Sequence, residues 1–343
     1  MKQRTIKNNT LKLGIGFVFS IIFLFIAFRQ VDLQKLLEVL RGSNSNLLML
    51  AIFVMFLSHW FRAMRHSYLL ESVEQIENKT LFSALMIGYM ANTILPAHLG
   101  EFLRAYVIGK KERISGSAVF ATIVVERILD VLSLLLIMGL IIMVYPFPGA
   151  VKISAYLTFA FAIGIIGFLA ILKLNSELTL RFVKIIVKPF PKKIASKIFE
   201  LIDSFSEGIV ALKDRKSYFF VFILSIVIWV CYACFFTIGF YAFDFVALYN
   251  LPIGASFVVL VITTISILVP SSPGYIGTYH WLCMISLSLF AIPESPALGY
   301  AIVMHALSTI PIAIVGIVFA LKEGINISNV RTHGELQEVT VTD

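Results

Sequence analysis

Three charges sit inside an otherwise apolar run: Val-Val-Glu126-Arg127-Ile-Leu-Asp130, within residues 114–145. At the centre of a bilayer each charge costs roughly 2.5–3.5 kcal/mol on insertion scales, so such groups turn inward and pair. On a helix, Glu126 and Asp130 are four apart and share a face, while Arg127 and Asp130, three apart, can touch. Arg127 can satisfy Asp130 internally, leaving Glu126 for Arg104 or for a ligand. An ion-pair cluster that locks helices together is the alternative, and both can hold. Arg62 and Arg65, in His-Trp-Phe-Arg-Ala-Met-Arg-His, close another apolar run. They are expected near the cytoplasmic headgroup level, either snorkelling or capturing an anionic headgroup.

Two further stretches interrupt hydrophobic runs in the same way. Asn92 to Arg113, NTILPAHLGEFLRAYVIGKKER, breaks at Pro96, and Leu268 to Trp281, LVPSSPGYIGTYHW, breaks at Pro270 and Pro273. Aligned on Pro96 and Pro273, P-A-H-L-G-E faces P-G-Y-I-G-T, with four residues from Pro to Gly in each. A broken helix in lipid is tolerated only where protein or a wet cavity covers its unpaired backbone. Paired interruptions in two parts of a transporter point to a midplane binding site; two interfacial loops without a cavity are the plainer reading. Half-helix ends offer N–H groups to anions, and Gly100, Gly274 and Gly277 permit close backbone approach. Glu101 and Arg104 share a face just beyond the first break. Asn92, His98, Thr278 and Tyr279 are candidate hydrogen-bonding groups, and His280 follows the second break.

The elements that position these residues are membrane helices. Of 343 residues 59% are hydrophobic and 14% charged, against about 45–50% and about 25% in soluble domains. Runs near 20 apolar residues are long enough to span; they occur at 11–28, 46–63, 114–145, 151–173, 217–243 and 298–321. The runs 81–95, 252–269 and 277–291 are cut short by Pro96, Pro270 and Pro293. The expected fold is an all-α polytopic membrane protein with about six to eight spanning helices, one or two broken or re-entrant segments and pseudo-symmetric halves. Residues 1–323 would form the membrane domain and 324–343 a disordered tail.

The net charge of +8 is clustered, with nine Lys/Arg between Arg181 and Lys216 and none at 145–150 or 245–251. That pattern marks membrane orientation and argues against nucleic-acid binding. It places both termini and the basic, amphipathic loop 174–216 in the cytoplasm, the loop touching anionic headgroups. The basic residues of loop 64–80 and of Arg104–Arg113 then lie on one side only if 81–103 is re-entrant. The three basic residues of loop 29–45 fit this topology poorly.

Cys231, Cys234 and Cys283 lie in apolar runs and read as small packing residues. His305 reads as a helix–helix hydrogen bond and His59 as packing. The spacing of His, Cys and carboxylates supports neither a metal site nor a cofactor, and no Ser-His-Asp set, nucleotide loop or dinucleotide fingerprint is present.

GYMANTILPAHLGEFLRA, VVERILD and VPSSPGYIGTYH, in this order, resemble the flippase-like membrane-domain family of lysylphosphatidylglycerol synthases and the multiple peptide resistance factor. The resemblance covers roughly residues 10–322. It implies site roles for Asn92, Pro96, Gly100, Glu101 and Arg104, for Glu126, Arg127 and Asp130, and for Pro273, Gly274 and Gly277. Two positions depart from the family pattern: His98 stands for its usual Arg and His280 for its late Glu. No synthase domain follows, so the resemblance implies lipid translocation without aminoacyl transfer.

The expectation is therefore a non-enzymatic, multi-pass inner-membrane protein that moves a phospholipid or lipid-linked anionic headgroup between leaflets. Homo-oligomerisation is left open. A small-solute secondary transporter and, less well supported, a membrane enzyme acting on polyprenyl-phosphate glycolipids are the alternatives.

Overall fold

The computed structural model describes residues 33–94, 99–144, 160, 163–164, 214–252, 254–264, 266 and 273–325. The expected span 11–28, all but three residues of the expected span 151–173, the loop 174–213 and the tail beyond 325 lie outside the described residues, as do Pro96 and His98.

Every regular element described is helical. Along the chain these are α1 (Leu33–Gly42), α2 (Ser45–Leu70), α3 (Asn78–Ile94), α4 (Gly100–Glu112), α5 (Gly116–Val144), α6 (Arg215–Ala242), α7 (Phe245–Tyr249), α8 (Ala255–Thr264), α9 (Thr278–Ser288) and α10 (Glu294–Lys322). By length and composition α2, α6 and α10 can cross a membrane. With 29 residues α5 is as long as α10, and its apolar run is interrupted by Glu126, Arg127 and Asp130. The protein is an all-helical, polytopic membrane protein.

The helices refine the expected runs. α2 extends to Leu70, well past the expected 63, so Arg62 and Arg65 lie within it rather than at its end. Residues 33–42, expected in a loop, form α1, which packs against α10. α3 and α4 have 17 and 13 residues, about 25 and 20 Å at 1.5 Å per residue. Each falls short of a hydrocarbon core of about 30 Å.

Two compact units divide the chain. The first draws on Met1–His59, Phe82–Ile108 and Cys231–Asp343, the second on Trp60–Leu81 and Gly109–Val230. In the first, α3 and α4 run antiparallel at close range. A Cβ on Gly88 would lie 2.9 Å from the Gly100 carbonyl and 3.3 Å from the Arg104 Cβ. On another side of α3, Gly316 of α10 lies against Met86 and Met90. Small residues allow such backbone approach and let dispersion forces hold helices where lipid removes the hydrophobic drive. Aromatic packing fills the same unit: Tyr300 stacks with Phe240 and Phe245, and its hydroxyl donates to the Phe236 carbonyl at 2.9 Å.

In the second unit, Leu69, Val125 and Val221 form a small core from α2, α5 and α6. Asp214 opens α6 by accepting the Ser217 backbone N–H at 2.8 Å. That bond, with the Ser217 hydroxyl, holds its exposed carboxyl below the ordinary carboxylate range. The cap is therefore in place at neutral pH and fades as acid protonates Asp214.

The α3–α4 crossing yields a direct test. Gly88→Leu should destabilise the protein by about 1–3 kcal/mol through overpacking. Gly42→Ala, at a site with nothing within 4 Å, should stay within about 0.5 kcal/mol of the parent. Thermal unfolding in detergent compares the two.

Candidate functional site

The first interruption is held by one side chain. The first N–H groups of a helix lack partners within it, and α4 begins at Gly100. Its Gly100 N–H donates to Asn92 Oδ1 at 2.8 Å, and Asn92 Nδ2 donates to both Glu101 carboxylate oxygens at 3.3 Å. The amide, in the last turn of α3, thus caps α4 and also orients Glu101. A carboxylate in the first turn of a helix also matches the positive end of its dipole. Arg104, one turn on, is buried at 3% exposure. A cap normally comes from a neighbouring residue; here it reaches across the break.

The second interruption uses two imidazoles. A 3-10 turn at Pro273–Tyr275 leads to α9. Gly274 has φ 70° and Gly277 φ 87°, a backbone that glycine alone adopts without strain. Gly277 has no side chain with which to cap α9. Its own N–H instead donates to His280 Nδ1 at 3.2 Å. From α10, His305 Nε2 donates to the Gly274 carbonyl at 2.8 Å. His280 therefore carries its proton on Nε2, and so does His305. The rings meet edge to face at 4.9 Å, and Tyr279 stacks on His305 at 4.7 Å. The Tyr279 and Thr278 hydroxyls beside them are buried without a hydrogen-bond partner.

The two interruptions touch. A Cβ on Gly274 would lie 3.5 Å from the Thr93 carbonyl and 3.7 Å from its methyl group. Both breaks thus belong to the first unit and lie against one another, about 180 residues apart in sequence.

The second unit holds the charges. Arg62 and Arg65 come from one face of α2, and Glu126 and Asp130 from one face of α5. Arg62 donates to Glu126 at 2.9 Å and to Asp130, and Arg65 donates to Asp130 at 2.7 Å and to Ser225 of α6 at 3.1 Å. Arg127 reaches back to Glu126 at 2.9 Å and lies 3.4 Å from Asp130. The side chains of Arg65 and Glu126 are fully buried and that of Arg62 is 5% exposed, whereas that of Arg127 is 38% exposed.

Arg62 and Arg65, expected to snorkel or to capture an anionic headgroup, are buried in these ion pairs. Charges kept from water need opposite charges, and the carboxylates of α5 supply them. Of the partners expected for Arg127, Asp130 is near, but its shorter contact is with Glu126. The complementary pattern was present in the sequence, with two arginines three apart on one apolar run and two carboxylates four apart on another. His305 was read as a generic helix contact and in fact fixes Gly274. No sequence signal connected Gly274 to Thr93.

These contacts set an order of stability losses. Asp130→Asn should cost about 3–5 kcal/mol, because it leaves fully buried Arg65 short of its nearest carboxylate. Asn92→Ala should cost about 1 kcal/mol, the usual loss on removing a helix cap. Melting temperatures in detergent should rank the two in that order.

Comparison with known proteins agrees with this architecture. The profile described as the lysylphosphatidylglycerol synthase transmembrane region matches residues 13–316. A UPF0104 membrane protein of Methanocaldococcus jannaschii is 26% identical over 328 residues, covering 90% of this chain and 94% of that protein. The glycosyltransferase AglD of Haloferax volcanii is 22% identical over 332 residues, covering 88% of this chain and 52% of that protein. The chain thus spans about half of AglD. The match along nearly its whole length makes this chain a member of the lysylphosphatidylglycerol synthase transmembrane-region family.

Proposed function

We propose that this protein moves a membrane lipid between leaflets, passing the polar headgroup along segments 81–103 and 268–281 while acyl or prenyl chains stay in hydrocarbon. The observation that carries this reading is the contact of two helix interruptions, Gly274 against Thr93. Each interruption places backbone N–H and C=O groups and glycines in an otherwise apolar bundle, and the second adds the unpartnered hydroxyls of Thr278 and Tyr279. Polar backbone at such depth is sheltered by protein or lines a wet path. Broken helices gathered at one place offer that path to a headgroup and exclude its chains. The family supports the reading at the level of a membrane region. No chemical conversion of the lipid is part of it, and no nucleotide-binding loop occurs in the sequence, so movement follows a lipid or ion gradient.

Orientation follows from charge. With the basic residues on both sides of 81–103 in the cytoplasm, cysteines placed at 70 and 110 of an otherwise cysteine-free protein should resist an impermeant maleimide added outside intact cells. Strong external labelling of either would sink the re-entrant topology.

Transport is tested in proteoliposomes by the quenching of a fluorescent phospholipid from outside. The protein should accelerate loss of the protected inner-leaflet signal without ATP. His305→Ala should slow this several-fold while thermal stability is followed alongside, because the Gly274 turn loses its anchor. Vesicles in which no phospholipid or prenyl-phosphate moves faster than in protein-free controls, while a water-soluble solute does, would replace this reading with small-solute transport.

A further inference from the structure

The two interruptions start helices of different electrical character. At the first, Asn92 takes the Gly100 N–H and Glu101 places a carboxylate in the opening turn of α4. The positive end of that helix is thus answered from within the protein. At the second, α9 has no acidic residue in its first turn, and its N-cap, Gly277, has no side chain to offer. His280 takes the Gly277 N–H on Nδ1, so its ring is neutral and brings no negative charge. The backbone ladder of α9 opens with the Trp281 N–H donating to the Gly277 carbonyl at 2.9 Å. The N–H groups of Thr278, Tyr279 and His280 precede that ladder and face out of the helix end.

Two side chains at this end are also unanswered. The hydroxyls of Thr278, 1% exposed, and Tyr279, 9% exposed, are buried without a hydrogen-bond partner. Elsewhere in the bundle threonine gives its hydroxyl to its own helix: Thr237, Thr264 and Thr309 each donate to the carbonyl four residues back. Thr278 stands first in α9, and the carbonyl four residues behind it, that of Gly274, accepts from His305 instead. Helical side chains lean toward the N-terminus of their helix, so the Thr278 hydroxyl lies at the open end with the three N–H groups. The Tyr279 ring stacks at 4.7 Å on His305, the imidazole that holds the turn just before α9. Orphan hydroxyls in apolar surroundings are costly, and a ligand oxygen removes that cost.

The geometry points to the N-terminal turn of α9 as a phosphate-binding site, where the N–H groups of Thr278, Tyr279 and His280 and the hydroxyls of Thr278 and Tyr279 donate to phosphate oxygens. The cluster offers donors and no carboxylate, at the positive end of an 11-residue helix, which suits an oxyanion. It lies beside the first interruption, with Gly274 against Thr93. The inference rests on the lipid-translocation reading and assigns the headgroup phosphate to α9, since the Glu101 carboxylate repels it from the start of α4.

The test melts the full-length protein, in a maltoside detergent, with dihexanoyl phosphatidylglycerol or with dihexanoylglycerol, which lacks the phosphate. Only the first should raise the melting temperature, in step with its concentration. Thr278→Val and Tyr279→Phe each delete one hydroxyl and keep the side-chain shape. Without ligand they should melt at or above the wild-type temperature, because each removes a buried group that no protein atom uses. With ligand, each should weaken apparent affinity about tenfold, the loss of one hydrogen bond to a charged group. Thr237→Val, which removes a hydroxyl already bonded within α6, should bind as the wild type does.

No phosphate-dependent shift, or unchanged affinity in both hydroxyl variants, overturns the inference. A shift from the lipid and none from the same concentration of inorganic phosphate assigns the site to a headgroup. An equal shift from inorganic phosphate supports a phosphate site and overturns its headgroup assignment. Translocation fails separately. If no lipid moves faster than in protein-free vesicles while the phosphate-dependent shift persists, the site stands and the transport reading falls. If lipid moves and neither hydroxyl variant slows it, transport stands and this inference falls.

Discussion

Hydrocarbon offers no hydrogen bonds, so a helix that stops within an apolar bundle must find partners for its end groups in the protein itself. The described structure answers this demand at each interruption with a side chain from elsewhere. Asn92 reaches forward over the first break, His280 reaches back to Gly277, and His305 arrives from a different helix to hold Gly274. An unsatisfied group in such surroundings costs several kcal/mol. Polar residues in an otherwise apolar sequence are thus placed where the backbone stops pairing with itself. The same logic governs the charges of α2 and α5, where each buried carboxylate has a guanidinium beside it.

These anchors separate two kinds of polar residue. Asn92, Glu101, His280 and His305 spend their hydrogen-bonding capacity on holding the breaks in shape. Thr278 and Tyr279 keep hydroxyls that no protein group occupies. A path for a headgroup needs both, rigid walls and unoccupied polar atoms along them. Glycine contributes by bringing backbones together, at Gly88 and Gly100 between α3 and α4 and at Gly316 against α3.

Much of this was legible in the sequence. Apolar run length gave α5, α6 and α10 to within a few residues and the start of α2 but not its end, because lipid imposes a length on helices that soluble surroundings do not. The motif around Asn92, Gly100 and Glu101 marked the first break. It did not reveal that the motif's own members bond to one another, since that depends on how sharply the chain reverses. The pairing of Arg62 and Arg65 was not legible because one helix seen alone cannot show that carboxylates more than 60 residues away face it. Gly274 beside Thr93 was invisible for the same reason. Such contacts are set by the packing of whole helices, and periodicity within one helix does not encode them.

The contact of Gly316 with Met86 and Met90 also governs the order of assembly. The ribosome completes α3 some 222 residues before it reaches Gly316. At a synthesis rate of about 5–20 residues per second, the nascent hairpin waits on the order of 10–45 s for the helix that shelters it. Neither of its arms is long enough to lodge in the bilayer alone. The insertion machinery or a chaperone must hold this stretch until the C-terminal helix arrives, so a chain truncated before 316 leaves it without its cover and exposes it to quality-control proteases.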